Sequence, residues 1–170
     1  MTYKWIGAVL VIVGCGGFGF AMAAAHRQEE RRLGQLLRAL QYMYCELQYH
    51  LTPLPELCRQ AGTEAGGAVG EVLCGLAREL ESQAFPDAAS CMRAAIGKSP
   101  DLSPGCRRLL VQLGRSLGRF DLSGQLQGLQ AVKTACREQR RRLEKDREVR
   151  LRSYRTLGLC AGAALAILFV

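Results

Sequence analysis

Two long uncharged stretches, one at each end of the chain, constrain the fold more than any other feature. Residues 5–25 read WIGAVLVIVGCGGFGFAMAAA and residues 156–170 read TLGLCAGAALAILFV, while every charged side chain except Lys4 lies between them. About 20 apolar residues cross a bilayer core of about 30 Å as a helix. The first stretch is long enough. The second covers only about 22 Å, and Tyr154 and Arg155 can lengthen it by anchoring at the headgroups. We therefore predict transmembrane helices at residues 1–25 and 154–170, flanking a helical domain at residues 26–153.

The distribution of basic residues predicts the orientation of these spans. Arginine is frequent directly after the first stretch and directly before the second, whereas only Lys4 precedes the first and nothing basic follows the second. Basic residues next to a span remain on the cytoplasmic side. The central domain is thus expected in the cytoplasm, at the cell membrane. A cleaved signal peptide ending at AMAAA is the alternative, but its apolar core would be unusually long.

Eight cysteines are spread along the chain with no C-x-x-C pair and no histidine at ligand spacing. This pattern does not favour a zinc site. Most of the cysteines stand on the apolar stripes of predicted helices, where a free thiol behaves as a small hydrophobic group. We expect them to be reduced and buried.

Apolar residues recur every three or four positions through most of the central domain, and no segment alternates at period two. The first stripe runs from Leu33 to Leu51, and later ones contain Val69 to Leu80, Ala88 to Ile96 and Leu109 to Phe120. This spacing is typical of amphipathic helices. The fold class is therefore predicted to be all-α, a bundle of about six helices.

The stretch TPLPE at residues 52–56 interrupts the first of these helices. Proline disfavours helical geometry in the residue before it and is tolerated in the first turn of a helix. Thr52 is a suitable N-cap. We predict that one helix ends and another begins here, and we place loop glycines at Gly62, Gly66 and Gly67 and Pro86 in the first turn of the fourth helix.

Gly114 and Gly118 lie four residues apart on the fifth predicted helix. The pair allows a neighbouring backbone to approach closely, or the helix ends near Gly118. Asp121 can cap the last helix, which begins at Leu122 and shows a heptad-like seam of Leu122, Leu129, Cys136 and Leu143.

The basic run at residues 137–155 has the charge of a nucleic-acid site but not its other features. Acidic residues precede its arginines by four positions, as in Glu138 and Arg142, and no aromatic side chains interleave to stack on bases. A solvated helix next to a membrane fits better, so nucleic acid is not an expected partner. The arginines expected to contact anionic lipid headgroups are Arg140, Arg141, Arg142, Arg152 and Arg155.

No catalytic motif is recognisable in the sequence. His26 and His50 lack a nucleophile at a recognisable spacing, and GAVGEVLCG has no lysine where a phosphate loop requires one. We expect a protein that is not an enzyme and has no cofactor or metal site.

The segments ELQYHLTPLPELC (residues 46–58) and LGRSLGRFDLSGQ (residues 113–125), set between two membrane helices, resemble the stage III sporulation protein AB family of endospore-forming bacteria. The motif positions of that family map to Glu46, Tyr49, Thr52, Pro53, Leu54, Pro55, Glu56, Gly114, Gly118, Asp121 and Gln125. The arginine-rich stretch at residues 137–155 is not part of this motif.

The resemblance implies a cytoplasmic bundle similar to the F-type inner-membrane platform proteins of type II secretion and type IV pilus systems. It further implies a non-catalytic scaffold in the complex joining mother cell and forespore, located in the mother-cell membrane around the forespore. The implied partners are a sister secretion-type ATPase and other membrane proteins of the sporulation complex, with homo-oligomerisation left open. Two alternatives remain at this stage: an exported helical protein with a cleaved leader, and an adaptor that binds anionic lipid.

Overall fold

The computed structural model describes residues 27–50, 52–118 and 121–169, with side chains described as far as Asp146. Within these residues the chain forms six helices and no strand, which confirms the predicted all-α class. Helix α1 occupies residues 27–49. It is followed by α2 (Leu54–Ala65), α3 (Gly67–Ser82), α4 (Ala88–Gly97), α5 (Pro104–Ser116) and α6 (Leu122–Phe169).

The core is built from the apolar stripes that the sequence predicts. Helix α1 contributes Leu33, Leu36, Leu40 and Met43, all without exposed surface. The other helices add mainly leucine, valine, alanine and cysteine, among them Leu57, Val72, Leu73, Leu76, Met92, Leu110, Leu113, Leu129, Val132 and Cys136. Burying one large aliphatic side chain stabilises the fold by about 1.5–3 kcal/mol, so this shared core holds the bundle together.

Each helix from α2 onward packs against the next one along the chain, and α6 closes the bundle against α1. The Cys136 thiol donates to the Leu33 carbonyl over 3.6 Å, and the Gln139 amide donates to Glu29 Oε1 over 3.3 Å. Lys133 hydrogen-bonds Gln41, which lies eight residues further along α1 than Leu33. As the residue numbers increase along α6, the numbers of the residues contacted on α1 decrease. The two helices are therefore antiparallel.

This antiparallel pairing defines two ends of the bundle. We call the end that holds Glu29 of α1 and Gln139 of α6 the flank end, because the chain enters α1 and continues along α6 there. The turn between α1 and α2 lies at the opposite end, which we call the corner end. Helix α1 is about 35 Å long at about 1.5 Å per residue, so this distance separates the two ends.

Three local predictions are wrong. Gly62 lies inside α2 and not in a loop, because its missing side chain leaves room for Gly70 and Cys74 of α3. Pro86 precedes α4, which begins at Ala88 after Asp87. Leu122 begins α6 as predicted but is 40% exposed, so the buried seam of that helix starts further along the chain.

The predicted C-terminal span, residues 154–170, belongs to α6 as far as Phe169. The predicted N-terminal span, residues 1–25, lies outside the described residues. Among the helices that are described, none contains an apolar stretch of the length required to cross a membrane.

Candidate functional site

Glu46 organises the turn between α1 and α2. Its Oε2 accepts a hydrogen bond from the Thr52 hydroxyl at 2.9 Å and lies 3.5 Å from His50 Nδ1. The His50 backbone N–H closes the last turn of α1 on the Glu46 carbonyl at 2.8 Å. One carboxylate on α1 therefore holds the chain on both sides of the corner.

Pro53, and not Thr52, is the N-cap of α2, which corrects the predicted cap. Pro53 has the extended φ of −55° and ψ of 140°, and its carbonyl accepts from the Leu57 N–H at 2.9 Å. Pro55 stands in the first turn as predicted, where a missing N–H costs nothing. The Thr52 hydroxyl donates to Glu46 instead. Thr52 therefore stabilises the turn between α1 and α2 and does not cap α2.

A second set of hydrogen bonds joins α1 to α2 below the corner. The Tyr42 hydroxyl donates to Gln60 Oε1 at 2.6 Å, and Gln60 Nε2 donates to Glu56 Oε1 at 2.9 Å. Glu56 also pairs with Arg59 at 2.6 Å, and Arg59 reaches Glu81 on α3. Partial burial, together with the negative charge of Glu46, raises the pKa of Tyr42. Sequence reasoning found Glu56 but missed Tyr42 and Gln60, whose only signal is the i, i+4 spacing of Gln60 to Glu56.

The two predicted motif segments meet at the corner end. A Cβ placed on Gly118 would lie 3.6 Å from Leu54 Cδ2 and 3.8 Å from the Ala88 Cβ. Leu54 belongs to the first motif segment and Gly118 to the second, so the fold joins sequence stretches 64 residues apart. Gly118 follows the end of α5 with φ of +73°, a left-handed conformation that favours glycine.

Gly114 has a different role from Gly118. It lies within α5, where an added Cβ would come within 2.6 Å of the Met92 Cβ and 3.4 Å of the Ala89 Cα. The absence of a side chain allows α4 to approach α5 closely. Both interpretations of the glycine pair therefore hold, one for each residue: close packing at Gly114 and a helix end at Gly118.

Asp121 caps α6, as the sequence predicts. Its carboxylate accepts from the Ser123 hydroxyl at 2.6 Å and from the Gly124 N–H at 3.1 Å. These two hydrogen bonds lower the pKa of the Asp121 carboxyl, since they favour its charged form. The Gln125 N–H donates to the Asp121 carbonyl at 3.0 Å, and the Gln125 residue is partly buried.

Tyr49 is a large hydrophobic motif residue that the bundle does not bury, being 71% exposed. Among the described residues, the other large hydrophobic side chains with high exposure are Phe85 and Leu122. All three lie within five residues of the Leu54, Ala88 and Gly118 contact, and therefore at the corner end. This end therefore combines a fixed turn with three exposed apolar side chains.

The arginines predicted to contact lipid lie on α6 beyond its pairing with α1. Arg140, Arg141 and Arg142 are exposed, and Arg140 pairs with Glu144 at 3.3 Å in place of the expected pairing of Glu138 with Arg142. The side chains of Arg152 and Arg155 are outside the described part of the chain.

Comparison with known proteins connects this bundle with sporulation. The family model for stage III sporulation protein AB matches residues 4–170. The stage III sporulation protein AB of Bacillus subtilis (strain 168) is 25% identical over 170 residues, which covers 98% of this chain and 99% of that protein. A solved structure of stage III sporulation protein AB (SpoIIIAB) superposes with a TM-score of 0.63 at 22% identity, covering 72% of this chain and 98% of the other.

Fold and corner together define a class of protein, an antiparallel six-helix bundle whose motif residues fix one end of the bundle. The family match extends over nearly the whole chain and agrees with the resemblance of the two motif segments. The chain belongs to the stage III sporulation protein AB family.

Proposed function

We propose that this protein is a non-catalytic membrane platform of the complex that joins mother cell and forespore. In this proposal the residues 1–25 and 154–170 anchor it in the mother-cell membrane around the forespore. The bundle lies in the cytoplasm, and its corner end docks a sister secretion-type ATPase. Other membrane proteins of the sporulation complex contact the anchored part.

The observation that carries the proposal is the antiparallel pairing of α1 with α6. Because of this pairing, α1 begins and α6 leaves the bundle at the same flank end, so in this proposal a single membrane receives both apolar flanks. The corner end is then held about 35 Å away from that membrane, at about 1.5 Å per residue of α1. A partner in the cytoplasm reaches this end without meeting the bilayer.

The corner end has the features of a docking surface of fixed shape. Glu46 ties Thr52 and His50 to α1, so the chain around Tyr49 is held on both sides. Tyr49 supplies a large amphipathic side chain with few degrees of freedom, a residue type enriched in binding hot spots. We assign Tyr49 to the contact with the ATPase, and Glu46, Thr52, Pro53, Leu54, Pro55, Glu56 and Gly118 to the shape of the surface.

Capture of the ATPase by the detergent-solubilised full chain tests this assignment. We expect Tyr49→Ala to weaken capture about tenfold or more, the effect of a binding hot spot, without changing the melting temperature. The matched control is Gln48→Ala, an exposed neighbour on the same helix, which should bind as the unmodified chain does. A full chain that never captures the ATPase, or equal effects of both substitutions, would contradict the proposal.

Arg140, Arg141 and Arg142 are proposed to contact anionic headgroups at the flank end, together with Arg152 and Arg155. Each basic residue near an anionic surface contributes about 1 kcal/mol. Replacing the first three with glutamine should therefore weaken binding to vesicles that contain anionic lipid and leave binding to neutral vesicles unchanged. An unchanged affinity for anionic vesicles would refute this contact.

A further inference from the structure

Charge is divided unevenly between two neighbouring helical hairpins. Residues 54–82, which form α2 and α3, contain five glutamates and two arginines, a net charge of −3. Residues 88–116, which form α4 and α5, contain four arginines and one lysine against a single aspartate, a net charge of +4. We call these the acidic hairpin and the basic hairpin.

The basic hairpin concentrates its charge on the outer face of α5. Arg107, Arg108 and Arg115 are exposed and, with Val111 and Gln112, line one shallow depression. Helix α5 contains no acidic residue, and none of these arginines forms an ion pair with any described residue of the chain. The stripe is thus a cationic surface that the described part of the bundle leaves unpaired.

The acidic hairpin also keeps uncompensated charge on its surface. Glu64 and Glu71 are exposed and have no ion-pair partner among the described residues. Glu56 and Glu81 share the single Arg59 between them. The hairpin itself therefore has an excess of acidic side chains at its surface, with Arg31 and Arg32 of α1 lining the same depression as Glu71.

The two charged faces match in spacing but point in different directions. Arg107 and Arg115 are eight residues apart, as are Glu56 and Glu64, and each interval is about 12 Å along its helix. Because α3 and α4 separate α2 from α5 in the packing order, one molecule cannot bring these two faces together. A second copy can do so by laying its α2 along the α5 of the first.

We propose that copies of this protein associate side by side, with the basic stripe of one copy on the acidic hairpin of the next. Such a contact uses two different surfaces, so it leaves one of each free and extends into a ring or a row. The pairs are exposed, so the association is weak individually and sensitive to salt. It does not depend on docking of the ATPase at the corner end.

Sedimentation equilibrium of the full chain in neutral detergent micelles tests the proposal through charge reversal. The unmodified chain should associate at low salt, about 50 mM, and dissociate at about 500 mM. Arg108→Glu with Arg115→Glu should weaken self-association about tenfold or more, since like charges then face each other. Glu64→Arg with Glu71→Arg should do the same from the other side.

Mixing the two reversed variants gives the decisive result. The first carries acidic charge on both faces and the second basic charge on both, so an equimolar mixture should associate although neither variant does alone. The matched control, Arg137→Glu with Lys145→Glu on exposed positions of α6, has the same change in net charge and should associate normally. Circular dichroism verifies that every variant remains helical.

Three outcomes would overturn the inference. The first is an unmodified chain that stays monomeric at low salt, and the second is a mixture that does not associate. The third is a reversed α5 stripe that loses affinity for anionic vesicles while self-association is unchanged, which would make lipid the partner of the stripe.

Discussion

Gly34 and Gly114 both lie inside helices, yet a methyl group meets opposite surroundings at the two positions. A Cβ on Gly34 would have no atom within 4 Å, whereas a Cβ on Gly114 would come within 2.6 Å of the Met92 Cβ. The Met92 Cβ is fixed to its backbone and cannot rotate away, so α4 would have to move. Substitution by alanine at Gly34 therefore changes only helix propensity, whereas at Gly114 it also disturbs the packing of α5 against α4.

We expect Gly34→Ala to raise the free energy of unfolding by about 0.5–1 kcal/mol, the gain in helix propensity. Gly114→Ala should lower it by about 1–3 kcal/mol, because overpacking outweighs that gain. Denaturant unfolding of the solubilised chain measures both. A Gly114→Ala variant as stable as Gly34→Ala would show that α4 and α5 are not in close contact.

The buried thiols predict how stability depends on alkaline pH. Burial, with a smaller effect of the neighbouring Cys74, raises the pKa of Cys58 to about 12, and burial likewise raises that of Cys106 to about 12. Above pH 9, an unfolded chain loses these protons while the folded chain keeps them. Unfolding then releases protons, so the stability falls as pH rises from 9 towards 12.

At pH 10 each such thiol should lower the free energy of unfolding by roughly 1 kcal/mol relative to its value at pH 7. Cys58→Ala removes one such contribution, so its loss of stability between the two pH values should be smaller than that of the unmodified chain. Cys45→Ala is the control, because Cys45 is exposed. Denaturation midpoints at both pH values give the comparison, and equal losses in all three proteins would refute it.

At the scale of the element, the first turn of α6 depends on one side chain. Asp121 accepts from Ser123 and from the Gly124 N–H, so Asp121→Ala leaves an N–H of the first turn without its partner. We expect the melting temperature to fall by a few degrees, as for other lost caps. Asp101→Ala, which removes an exposed loop carboxylate, should have no effect.

The lowered pKa of Asp121 adds a dependence on acid pH. A carboxyl with a lowered folded-state pKa stabilises the protein above its ordinary value of 3.8, and this contribution disappears as pH falls through the folded-state pKa. The difference in melting temperature between Asp121→Ala and the unmodified chain should therefore shrink in strong acid. A constant difference would show that the carboxylate does not act through its charge.

Helix periodicity predicted the elements because a core stripe needs only the repeat of Leu33, Leu36, Leu40 and Met43. It failed at Gly62, where a glycine inside a helix reflects contact with Gly70, a residue of a different helix. The hydrogen bond from Thr52 to Glu46 was likewise invisible, since a threonine before prolines equally fits a cap. Local spacing indicates where helices lie, whereas these contacts depend on how the helices pack.

The same limit applies to the candidate site. Each motif segment is recognisable by itself, and the position of Asp121 directly before Leu122 is enough to predict its cap. The contact of Leu54 with Gly118 could not be derived, because it requires four intervening helices to return the chain to the corner end. Tyr42 and Gln60 were missed for a related reason: their hydrogen bond joins two helices whose relative rotation the sequence does not specify.

At the scale of the whole molecule, the two ends of the bundle have different chemistry. The flank end has the exposed Arg140, Arg141 and Arg142 of α6, while the corner end has exposed Tyr49, Phe85 and Leu122. The proposed platform needs this separation, since in that proposal one end meets lipid and the other a protein. The side of the membrane on which the bundle lies then decides which partners it can reach.

Cys45 provides a native probe for that side, because it is exposed near the corner end of α1. In a chain with Cys15→Ser, Cys160→Ser and Cys74→Ser, the last because Cys74 is only partly buried, we expect a membrane-impermeant maleimide to label Cys45 only after the cells are permeabilised. The buried Cys58, Cys91, Cys106 and Cys136 should stay unlabelled until the chain is unfolded, since their thiols are inaccessible and burial raises their pKa values. Adding Cys45→Ser as a further control should abolish the signal. Labelling in intact cells, together with a mature N-terminus near Ala24 or His26, would instead place the bundle outside and identify an exported protein with a cleaved leader.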